Sequence, residues 1–75
     1  MANLISTKTQ VLNIAKIPLW PNNWSVINLD NIAALDEGIS GTTYMVLISG
    51  DKILVKGSVA YWVDRLGKTY TDFTV

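Results

Sequence analysis

The stretch from Thr42 to Ser58 (TTYMVLISGDKILVKGS) constrains this chain more than any other. Two apolar runs rich in β-branched residues flank Ser49-Gly50-Asp51, a composition that predicts a β-hairpin. In the first run Tyr44, Val46 and Ile48 share one face and Thr43, Met45 and Leu47 the other. In the second, Ile53 and Val55 oppose Lys52, Leu54 and Lys56. A strand apolar on both faces is either covered on both or gives one face to a partner. The remaining segments read as cover for this hairpin.

At Gly57-Ser58 the apolar period changes from 2 to 3.6. Ser58 suits an N-cap, and Val59, Trp62, Val63 and Leu66 at i, i+3, i+4 and i+7 form one stripe. Ala60, Tyr61, Asp64 and Arg65 fall on the wetter side, and Gly67 suits a left-handed C-cap. A helix this short needs its stripe packed on the sheet. The tail Lys68–Val75 alternates weakly and reads as a last edge strand or a docking arm.

Upstream, residues 1–9 are read as a flexible arm or a weak strand. Gln10–Ile17 reads as a strand, which Pro18 is expected to end. Leu19–Trp24, with Pro21, Asn22 and Asn23, reads as a turn whose two tryptophans close over one end of the core. Asn23-Trp24-Ser25 matches a glycosylation sequon, taken as chance without a secretion signal. Ser25–Leu29 reads as a strand, Asp30-Asn31 as a bulge or tight bend, and Ile32–Leu35 as an extended resumption. A short helix over Leu29–Leu35 competes with that reading, because Ala33-Ala34-Leu35 is helix-friendly. Asp36–Gly41 reads as a loop. The expected fold is α+β and mostly β. One domain over residues 1–75 would hold a small antiparallel sheet or partly open barrel of four to five strands, with one short C-terminal helix packed on it.

Chemistry is sparsely provisioned. The 75 residues contain no cysteine and no histidine, so disulfides, thiolate metal sites and imidazole catalysis are excluded. Asp36 and Glu37 are adjacent, which in an extended chain points them to opposite faces. Asp30 and Asp51 sit in turn segments, where Asp makes local hydrogen bonds. No calcium-loop spacing or phosphate-cradling glycine loop occurs, so no catalytic residue, metal or cofactor is expected. No stretch approaches a membrane span, and Met1–Lys8 lacks the pattern of a signal peptide, so a cytoplasmic location is expected.

Hydrophobic residues make up 49% of the chain and charged ones only 16%, with zero net charge. So small a domain has difficulty hiding that much apolar area, and exposed apolar patches mark interfaces. Self-association or a larger protein partner is therefore expected, with Trp20, Trp24, Tyr61 and Met45 as the candidate interface. The alternative is a nucleic-acid contact through Lys52, Lys56 and Arg65, with aromatic rings stacking on bases. Six cations balanced by six carboxylates make a poor polyanion field. A third class, a small inhibitor of another protein, fits the size and the acidic Asp36-Glu37 loop.

The segment Val26-Ile27-Asn28-Leu29-Asp30-Asn31-Ile32-Ala33-Ala34-Leu35, followed by the hairpin and Val55-Lys56-Gly57-Ser58-Val59, resembles the small flagellar-operon proteins of the FlbD (SwrD) family. The likeness covers residues 26–66 and rests mainly on apolar spacing. The Gln10–Trp24 segment departs from that family's opening hairpin. The resemblance implies a non-enzymatic accessory of motility and carries over no site residue. The same stretch more distantly resembles the second half of LytTR DNA-binding domains. There Asn23-Trp24-Ser25 stands where that family has a basic motif, and Lys56-Gly57-Ser58 lacks an expected arginine.

Overall fold

A computed structural model describes residues 13–74. The readings of an arm over residues 1–9 and of a strand beginning at Gln10 lie outside them. Among these residues five strands occur in chain order: β1 (Ile14–Leu19), β2 (Asn23–Asn28), β3 (Ile32–Glu37), β4 (Thr42–Leu47) and β5 (Lys52–Lys56). Among the described residues one α-helix, α1 (Val59–Arg65), follows. All pairings are antiparallel, in one open sheet of order β2-β1-β5-β4-β3.

The hairpin forms as its residues require. Met45 faces Ile53 and Thr43 faces Val55. The Leu47 N–H donates to Asp51 O (2.8 Å), and Gly50 turns the chain at φ 96°. Ile48 lies in this turn rather than in the strand. Ser58 caps α1 by accepting from the Tyr61 N–H (3.1 Å), and Gly67 ends it at φ 68°. The stripe holds: Trp62 is buried and Val59, Val63 and Leu66 are half-buried, while Ala60, Tyr61, Asp64 and Arg65 are exposed.

Pro18 does not end β1. It pairs opposite Trp24 inside the β1–β2 ladder. The Trp20 N–H donates to Leu54 O of β5 (3.0 Å), so the Pro18 nitrogen, two residues earlier, faces the same side. There β1 meets β5 only at Leu19–Val55, so the absent N–H breaks no ladder bond. The expected turn therefore shrinks to Trp20–Asn22, and β2 starts at Asn23.

Between β2 and β3 lies a 3-10 turn, Leu29–Asn31, whose N-cap Asn28 accepts from the Asp30 N–H through its side chain (3.0 Å). The extended reading of Ile32–Leu35 holds, and the strand runs on to Glu37 with a register shift at Ala33. This turn joins the two edge strands. Leu29 N–H bonds Asn13 O beside β1, and Ile48 N–H bonds Asn31 O at the end of β4 (both 2.8 Å). The sheet thus curls until its edges meet at one corner. Residues 68–74 form no strand.

The concave face holds the core. Ile17, Met45, Val55 and Trp62 are buried, backed by Ala15, Leu19, Ile27, Leu29, Ile32, Leu35 and Ile53. Helix α1 covers this face and is anchored at one corner by two polar bonds. The Trp62 indole N–H donates to Lys56 O (2.7 Å), and the buried Thr43 hydroxyl donates to Gly57 O (2.8 Å). Met45 is a correction: it is 0% exposed and belongs to the core, because the Thr43/Met45 face is the one the helix covers.

Candidate functional site: the convex face of the sheet

Strand alternation sends the other set of side chains outward. Ile14, Lys16 and Pro18 project from β1, Trp24 and Val26 from β2, Lys52, Leu54 and Lys56 from β5, Tyr44 and Val46 from β4, and Ala34 and Asp36 from β3. Register sets Pro18 beside Trp24 and Lys16 beside Val26. Farther across, Leu54 lies beside Tyr44, and Lys52 beside Val46. Trp20, bonded through its backbone to Leu54, continues the β1 alternation and adds a second indole. The loop between β3 and β4, with its 3-10 turn Ile39–Gly41, closes over one end of this face, where Thr42 is buried and a Cβ on Gly38 would come within 3.0 Å of Leu54 Cδ1, while Ile14, Trp24, Val26 and Tyr44 stay exposed.

The two tryptophans do not close over the core. Trp24 is 55% exposed and Trp20 46%, with Tyr44 at 36%. Two lysines lie against these rings. Lys16 Nζ sits 4.5 Å from the Trp24 ring centroid, and Lys52 Nζ sits 6.0 Å from that of Tyr44. Each ammonium is held by a ring quadrupole while its stem lies along apolar surface.

Tyr61 is exposed too, at 48%, but it belongs to the other side of the molecule. It packs edge-on against Trp62 on α1, with centroids 5.2 Å apart, and Arg65 lies 5.9 Å from its ring. The expected interface is therefore divided, with Trp20 and Trp24 on the convex face, Tyr61 on the helix and Met45 inside. The nucleic-acid set is divided as well. Lys52 and Lys56 share the convex face, whereas Arg65 rides on the helix across the sheet. Lys16 and Tyr44 were the members sequence reasoning missed. Their signal was present, since both alternate with core positions, but which face was inside was not.

Two shallow grooves flank the helix. One, of about 220 Å³, is lined by Leu29, Ile32, Ala33, Ala34, Leu35 and Leu66, with Asp30 and Lys68 at its rim. The other, of about 190 Å³, runs between β1 and the Tyr61–Leu66 side of α1. Both are smaller than the clefts that usually engulf small molecules. Among the described residues no three Asp or Glu side chains converge on a common point. Asp51 accepts from the Ser49 hydroxyl (3.0 Å), a local turn bond. Thr74, through its hydroxyl and its N–H, holds the Asp72 carboxyl below the ordinary carboxylate value, again within a local turn. No described helix is long and apolar enough to cross a membrane.

Fold and surface together define a small β scaffold with one face covered by a helix and the other largely exposed. No family model matches the chain, and neither the curated proteins nor the solved structures contain a significant match.

Proposed function

We propose that this chain is a non-enzymatic interaction module that docks on a larger protein through the convex face of its sheet. One observation carries the reading: every large apolar side chain of the described strands that is exposed, Ile14, Trp24, Val26 and Tyr44, lies on that face, beside Trp20. Aromatic side chains in such patches are the usual anchors of interfaces. The absence of cysteine and histidine from the sequence supports a binding role over catalysis. So does the resemblance of residues 26–66 to an accessory family. Self-association is a second reading, supported by the tail, where Tyr70 and Phe73 are exposed.

Trp24→Ser tests the docking face. It should stay folded, losing no more than about 1 kcal/mol from its cross-strand contacts with Pro18 and Lys16. Partners captured by wild type and identified by mass spectrometry should be lost with Trp24→Ser and kept with Asp64→Asn, on the helix side. Retention of every partner by Trp24→Ser would remove the convex face from the reading.

A further inference from the structure

From the charge on this face we infer that its occupant is an acidic, aliphatic stretch of another protein. The inference rests on the docking reading above and adds the chemistry of the partner. Lys16, Lys52 and Lys56, three of the six cations in an electrically neutral chain, project from the convex face, against Asp36 alone of its six carboxylates. The face is thus positive where the molecule as a whole is not.

The cations are integrated with the apolar surface. Lys16 over Trp24 and Lys52 over Tyr44 each make a unit in which a flat ring and an ammonium are presented together. An aliphatic side chain would contact the ring edge while a carboxylate two residues along, on the same side of an extended segment, met the ammonium. Lys52 and Lys56 lie four residues apart on one side of β5, about 13 Å along the strand. An extended partner segment with carboxylates at the same interval would match both.

Two other occupants fit less well. A second copy docked face to face by two-fold symmetry would set this lysine-bearing surface against itself, and like charges across an interface are costly. Single-stranded nucleic acid stacks its bases on open aromatic faces, but here an ammonium lies over Trp24 and over Tyr44. Three lysines also neutralise few phosphates.

The test uses the whole chain and three probes: a capped peptide repeating Glu-Ser-Leu-Ser, which puts glutamates four residues apart and leucines on one face of an extended chain, its counterpart with glutamine for glutamate, and oligothymidylate. Tryptophan fluorescence reports binding, since Trp20 and Trp24 lie on the face. The glutamate peptide should bind about tenfold tighter than the glutamine peptide. The double variant Lys16→Glu/Lys52→Glu should erase that difference with its melting temperature unchanged. Added salt should weaken the glutamate peptide alone. Equal binding of the two peptides would overturn the acidic partner while leaving an apolar docking face. Tighter binding of oligothymidylate, lost in the double variant, would replace it with a nucleic-acid partner. If no probe binds, the inference fails, and the Trp24→Ser capture decides the docking reading independently.

Discussion

Trp62 combines two kinds of stabilisation that substitutions can separate. Its ring fills the space between Ile17, Met45 and Val55, and its N–H satisfies Lys56 O at 2.7 Å. Trp62→Ala should cost about 3–5 kcal/mol by leaving a cavity. Trp62→Phe keeps most of the ring but leaves the Lys56 carbonyl without its indole donor, for about 1–3 kcal/mol. Urea unfolding of both variants checks the ranking. A Trp62→Ala chain as stable as wild type would place this ring outside the core. The inward position of Trp62 was legible because a helical stripe encodes its own inner side. The fate of Met45 was not, because β4 is apolar on both faces and alternation gives two sets without saying which is covered. Thr43 decides it: its buried hydroxyl bonds Gly57 O, which fixes the helix over that face.

At the scale of elements, the β5–α1 corner shows why a short helix can be held so firmly in place. Gly57 turns the chain at φ 103°, and a Cβ there would come within 2.9 Å of Tyr61 Cδ2 and 3.0 Å of Trp62 Nε1. Gly50 in the hairpin turn has a similar φ of 96°, yet nothing lies within 4 Å of its would-be Cβ. Gly50→Ala therefore reports backbone strain alone, about 1–3 kcal/mol. Gly57→Ala adds displacement of the helix's first turn and should be clearly the more damaging in thermal unfolding. Equal losses would mean that the corner tolerates a side chain and does not position the helix. Hairpin, N-cap and C-cap were all legible because each is written in a few adjacent residues. Pro18 was misread because its tolerance depends on β5, a strand far along the chain that pairs with β1 only at Leu19 and so asks for no N–H at the proline.

At the scale of the molecule, the placement of apolar area follows from topology. Joining edge strands β2 and β3 through Leu29–Asn31 curls the sheet and α1 packs on its concave side, so on the convex side only the end beneath the 38–41 loop is buried. Composition alone announced a surplus of apolar side chains, but not its location, because location depends on the strand order. Two surfaces remain for self-association: the convex face, where lysines oppose a symmetric pair, and the tail. Tyr70 and Phe73 are 72% and 86% exposed, so the tail contributes little to the fold of a single chain. Deleting residues 69–75, which keeps the Lys68 N–H that bonds Val63 O at the end of α1, should leave the melting temperature of a dilute sample unchanged. Sedimentation at about 100 µM should show that any dimer formed by the full chain is lost with the tail. A dimer that survives the deletion but dissociates in Trp24→Ser would put self-pairing on the convex face, and with it the lysines that an acidic partner needs.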